Sequence, residues 1–158
     1  VVIVILGILS AFALPRFLDL TDEANVAALE GVGGTIKAAS GLVRGACLAD
    51  PECDNESDDT IELDGTTIEL SGGFAAATED GILLAAGLAD ESPTDDSVSG
   101  SDRFEISVNP NFVNITPSNV DVGNDNNPGC RVFYRSNEVV AEDNPRIAVE
   151  TDDCPGNE

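Results

Sequence analysis

Cys47, Cys53, Cys130 and Cys154 are the residues of this chain whose chemistry is most defined. An even count permits three disulfide pairings, and spacing alone does not choose among them. One pairing joins Cys47 to Cys53, closing the short loop "CLADPEC" at the end of a helical pattern. It leaves Cys130 and Cys154 to tie "CRVFYR" to the tail "TDDCPGNE". Zinc is the rival, but neither pair has knuckle spacing and there is no histidine to complete a site. Two disulfides in an oxidising, extracytoplasmic setting are the expectation.

The other abundant chemistry is carboxylate. Asp54, Glu56 and Asp58 open like a calcium loop, but its sixth position would be Asp59 instead of glycine and its twelfth Gly65 instead of glutamate. Loose calcium binding at residues 54–64 or 121–125 stays open beside the simpler reading of solvated charge clusters. Acidic pairs are so common here that they mark no acid–base centre, and without histidine the commonest general base is missing. The glycine run "EGVGGT" lacks the lysine and the preceding strand of a phosphate loop. Asn55 and Asn114 head the N-glycosylation patterns "NES" and "NIT". No catalytic, cofactor or metal residue is assigned, and the chain reads as a non-enzyme.

Thirty acidic residues against seven basic ones give a net charge of −23. The imbalance sits late: residues 1–50 hold three basic and five acidic residues, and the remainder holds four and twenty-five. Such a surface repels nucleic acid and anionic lipid, and salt or divalent cations would screen its self-repulsion. A length of 158 residues allows one domain with an attached helix.

That helix opens on "VVIVILGILSAFALPRF". The apolar run of residues 1–14 reaches roughly 21 Å as a helix, short of a hydrocarbon core of roughly 30 Å. It lacks the basic start and the cleavage site of a signal peptide. With no matching apolar body, its partner must be a membrane or other copies of itself. Pro15 and Gly7 allow a kink or local unwinding between them, while Gly7, Ser10 and Ala11 let another helix approach. Beyond Pro15 the pattern turns amphipathic, with Val26, Leu29, Val32 or Gly33, Ile36, Ser40, Val43 and Cys47 forming one stripe. Five glycines, at 31, 33, 34, 41 and 45, interrupt this half. Either tertiary packing merely tolerates them or the helix is a spine that needs close neighbours.

In the body, "TIELDGTTIEL" reads as a hairpin about Asp64-Gly65. "RFEISV", "RVFYR" and "RIAVET" read as half-buried antiparallel strands, with "NPNFVNITPSNV" as a further short strand or an irregular crossing. Ile82, Leu83 and Leu88 would anchor a helical turn or two. The expected fold is α+β: a long N-terminal helix packed on a small antiparallel sheet.

The apolar run, the Gly7-to-Pro15 interval, "ALPRF" and "DEANVAALEGV" together resemble the N-terminal helix of bacterial type IV pilins, nearest those of the mannose-sensitive haemagglutinin type. The resemblance is specific over the helix and looser afterwards, where "CLADPEC", "AAATEDGILLAAGL" and "CRVFYR" look like family features. It implies a Cys130–Cys154 disulfide. It also implies that residues 1–20 form the filament-core half of the helix and residues 21–158 the globular domain. Val1, Ile5, Gly7, Ile8, Phe12, Leu14, Pro15 and Phe17 would then be assembly residues. An opening such as "FTLIEL", with its methylated terminus and acceptor glutamate, is expected ahead of Val1, and no residue of this numbering corresponds to that glutamate. The implied partners are identical subunits in a homo-polymer, and the pilus assembly machinery and inner membrane before assembly. The implied place is an extracellular pilus on the cell surface, used in attachment or biofilm formation and in some members for motility. A type II secretion pseudopilin or minor pilin, and a membrane-anchored binding domain, are the alternatives.

Overall fold

The computed structural model describes the backbone of residues 2–53, 60–89, 103–118, 120, 129–136, 145–152 and 154; side chains at 4–22 lie outside the described set. One helix, α1 (Val2–Ala49), leads into two antiparallel sheets. The first holds β1 (Thr60–Leu63), β2 (Thr66–Ser71) and β3 (Phe74–Ala75), and the second β4 (Phe104–Asn109), β5 (Phe112–Pro117), β6 (Arg131–Arg135) and β7 (Arg146–Glu150). Both are meanders, with strand neighbours in chain order.

The amphipathic half of α1 builds the core as its stripe demands. Leu29, Ile36 and Val43 are fully buried two turns apart, with Ser40 and Cys47 beside them and Val26 and Val32 partly buried against the cluster. Burying each of the three large aliphatics contributes roughly 1.5–3 kcal/mol. Where the stripe ends, the Asp50 N–H still bonds the carbonyls of Ala46 and Cys47, at 3.1 and 3.2 Å. Pro51 then disfavours helical geometry at Asp50 and stops the helix.

The β1–β2 hairpin turns on Asp64 and Gly65, whose φ values of 52° and 84° are those of a tight two-residue turn. Gly72 and Gly73, at 60° and 76°, repeat the device between β2 and β3. Across the α1 interface, the Arg44 guanidinium stacks 4.7 Å above the Phe74 ring and donates to the Gly73 carbonyl at 3.3 Å. After β3 the chain dives inward: the Ala76 N–H bonds Glu69 O at 2.8 Å, and a helical turn at Glu79–Leu83 buries Ile82 and Leu83 completely. Leu88 is half-buried against the same core.

This dive corrects one expectation. The α+β arrangement of a helix packed on antiparallel strands is the one expected, but among the described residues the strands fall into two sheets where one was expected, because Ala76 completes the pairing on β2 and carries the chain into the core. β3, only two residues long, gave no periodic signal. The segment "NPNFVNITPSNV", left between strand and crossing, supplies β5, which is interior to the second sheet. Edge strand β4 is less buried than its alternation suggests, with Val108 39% exposed.

The two sheets are joined through the core by Tyr134. Its side chain, on β6, is 1% exposed, and its hydroxyl donates to the Ala75 carbonyl on β3 at 2.6 Å. Burial pushes the phenol from 10.0 up to about 12, with the hydroxyls of Ser40 and Ser136 pulling the other way. Ser136 Oγ makes no well-formed hydrogen bond among the described residues.

Two bridges close the structure. Cys47–Cys53 ties the end of α1 to its following turn, and Cys130–Cys154 ties the start of β6 to the chain beyond β7, with Cα separations of 5.3 and 4.7 Å.

Loss of the longer bridge, which spans 24 residues, should lower stability by about 3 kcal/mol in the C130S/C154S double variant, against about 2 for C47S/C53S. Urea unfolding of the oxidised chains measures both. Tyr134 generates a second expectation. Its folded pKa lies above its unfolded one, so the fold's preference for the protonated phenol is complete below about pH 10 and is lost as pH rises towards about 12. The difference is on the order of 2–3 kcal/mol. As this is the chain's single tyrosine, tyrosinate absorbance reports it alone. Ionisation of the folded chain near pH 10 would contradict the assignment, and Y134F should abolish this share of the alkaline loss.

Candidate functional site

Among the described residues no group of three or more acidic or cysteine side chains converges into a metal-binding cluster. Residues 54–59 and 121–128, which hold most of the carboxylates considered for calcium, lie outside that set. Asn55 is among them. Asn114 sits within β5 and pairs with Ser107 and Phe133 across the sheet; its Oδ1 is buried without a hydrogen-bond partner and Thr116 is buried. That "NIT" is therefore presented by an interior strand and not by an exposed loop.

The surface that does stand apart is the solvent face of α1. Ala24, Ala27, Gly31, Gly34, Ala38, Gly41 and Gly45 recur at alternating steps of three and four, and all seven are exposed. This is the spacing of a helix–helix seam, filled with residues that have little or no side chain. Leu42 and Leu48 add apolar area beside it, at 63% and 68% exposure. Glu30 and Lys37 lie exposed along its margin.

The helix glycines divide cleanly by environment. A Cβ added to Gly33 would collide with the Val149 side chain on β7, so this glycine sets how closely α1 approaches the second sheet. At Gly31, Gly34, Gly41 and Gly45 an added Cβ meets nothing within 4 Å. No contact among the described residues requires them, although an interior helix glycine costs about 1 kcal/mol relative to alanine.

Of the sequence-derived assembly residues, Ile5, Gly7, Ile8, Phe12, Leu14, Pro15 and Phe17 lie on α1, which runs unbroken across Gly7 and Pro15; their side chains, like Val1 as a whole, are outside the described residues. Val2 and Ile3 are exposed, at 69% and 84%. Among the described residues no helix is long and apolar enough to cross a membrane. The four cysteines form the two bridges given above. What sequence reading missed is the seam's regularity. The glycines were visible, but their alanine partners at 24, 27 and 38 are too ordinary to stand out until the buried stripe on the opposite face is known.

The chain is 43% identical over 54 residues to the type IV narrow pilus major component PilA5 of Thermus thermophilus. The match covers 34% of this chain and 47% of that relative, so the chain spans about half the length of the protein it resembles. No protein-family model matches, and no solved structure matches.

The division of the glycines predicts opposite responses to one added methyl. G33A should destabilise the full chain by roughly 1–3 kcal/mol through overpacking against Val149. G34A, one residue further on, should stabilise it by about 1 kcal/mol. Thermal unfolding of both variants in mild detergent would settle the point; equal shifts of one sign would refute the placement of α1.

Proposed function

We propose that the chain is a structural, non-catalytic subunit of a type IV pilus, packing α1 against the helices of identical copies in a helical filament. The observation that carries this reading is the exposed seam of seven alanines and glycines on α1. A soluble helix normally covers its solvent face with charged or long polar side chains. Here a chain with 23% charged residues leaves that face almost bare, which suits close approach by another helix. The similarity to a named pilus major component over a third of the chain supports the same role.

On this reading the apolar first half of α1 lies in the filament centre and the acidic domain faces outwards. The finer points extend the same proposal: a major subunit of the mannose-sensitive haemagglutinin kind, extracellular once assembled and held in the inner membrane beforehand by the assembly machinery. Attachment or biofilm formation is the role proposed for the filament. Both disulfides suit that oxidising destination.

Electron microscopy of material sheared from cells, with mass analysis of the subunit, is the direct test. Filaments built from this chain are expected; their absence, with the chain found only as monomer in the membrane, would refute the proposal. A triple G34A/G41A/G45A variant sharpens it. Added methyl groups should raise the thermal stability of the monomer while reducing the yield of filaments, whereas a purely intramolecular role for these glycines would leave the yield unchanged.

A further inference from the structure

The second sheet has a face turned away from α1, and its charge departs from that of the chain as a whole. Val113, Ile115, Val132 and Tyr134 point into the core, so the residues alternating with them point outwards. Arg131, Arg135 and Arg146 all lie on this outer face, three of only seven basic residues in a chain of net charge −23. Two aromatic rings share the face, with Arg131 and Arg146 at Phe133 and Arg135 opposite Phe112 in the ladder. Phe112 and Phe133 have centroids 5.6 Å apart, and the guanidinium groups of Arg131 and Arg146 lie 5.2 and 5.9 Å from the Phe133 ring.

The three arginines are not equivalent. Arg131 is largely buried and its Nε donates to Glu150 at 2.7 Å, so its charge is answered within the sheet. Arg135 and Arg146 are exposed, and they are register partners on β6 and β7. Like charges directly opposite each other destabilise a sheet pair. A carboxylate set between them would convert that repulsion into a shared, charge-assisted contact. The Arg146 guanidinium, over the Phe133 ring, keeps its N–H edge available for such planar, two-pronged pairing, and Arg135 offers the same fork opposite it.

We propose that Arg135 and Arg146, register partners on the outer face of the second sheet, dock a carboxylate-bearing surface of a second copy of this chain. Charge complementarity selects the occupant. Another copy presents exposed acids such as Glu23, Glu30, Glu62 and Asp64, whereas a free polyanion must approach a molecule whose overall field repels it. The inference rests on the filament reading. It supplies the attraction that such a filament needs, because acidic domains laid side by side repel one another until salt screens them. Arg135 and Arg146 therefore hold the coat together in dilute buffer, where the repulsion is greatest.

Sheared filaments of the full chain provide the test, with R135E/R146E and R135K/R146K compared against wild type in dilute and salt-rich buffer. Charge reversal should abolish filaments in dilute buffer and restore them in high salt, while the melting profile of the subunit remains that of a folded chain. R135K/R146K should retain filaments. On treatment with a carbodiimide, the amine introduced at either position should lose water with a carboxylate of a neighbouring copy, giving an intermolecular amide that peptide mass analysis locates. Reversed-charge filaments as robust as wild type at every salt concentration would overturn the proposal. So would R135K/R146K filaments showing no cross-link between copies, or reversed-charge filaments that remain intact and lose only binding to an anionic surface. If wild-type material contains no filaments of this chain, it is the filament reading that fails.

Discussion

The hydrogen bond from Tyr134 to the Ala75 carbonyl spans a junction that is bridged by no strand pairing among the described residues. Among those residues the two sheets share no ladder, and each alone is a small meander with one apolar face. They become one body by packing on the same side of α1 and by the phenol reaching from β6 to β3 at 2.6 Å. A buried hydroxyl without that partner would be costly, so the bond specifies where β3 sits as much as it strengthens the core. The short β3 is held in place by this carbonyl contact, by the Arg44 stack on Phe74 and by the two glycines ahead of it.

The opposite side of the helix follows from the same arrangement. Once Leu29, Ile36, Val43 and Cys47 face the sheets, the helical repeat leaves Ala24, Ala27, Gly31, Gly34, Ala38, Gly41 and Gly45 facing away. Gly33 lies on the covered side and belongs to the fold, since Val149 occupies the space its Cβ would need. Glycines that look alike in the chain thus fall into two environments, one packed against β7 and one open. On the proposed filament reading, one helix is core for its own domain on one side and seam for its neighbours on the other.

Charge is distributed with comparable separation. The acidic excess lies beyond residue 50, yet three of the chain's seven cations share the outer face of the second sheet. Of these, Arg131 is committed to Glu150, a partner directly opposite it in the ladder, and this half-buried pair is the more sheltered part of the face. The remaining pair has no such cross-strand carboxylate, because β6 and β7 place arginine against arginine at their far end.

Local chemistry made much of this legible in the amino-acid order. A helix with one apolar stripe, its end near the "CLADPEC" loop, the Asp64-Gly65 hairpin, and the alternation that became β4, β6 and β7 all depend on periodicity and turn residues, which are properties of neighbours in the chain. The apolar opening likewise called for a membrane or other copies as its partner, while the glycine-rich stretch left two readings open. Other features depend on what meets across space, and only the tertiary structure decided them. Pairing of the cysteines, the split into two sheets at Ala76, the interior place of β5 and the sorting of Gly33 from its neighbours are of this kind. So are the Tyr134 bridge and the meeting of Arg131 and Arg146 at the Phe133 ring. Each is a contact between residues brought together by folding, and residue type alone does not encode which partner will be there.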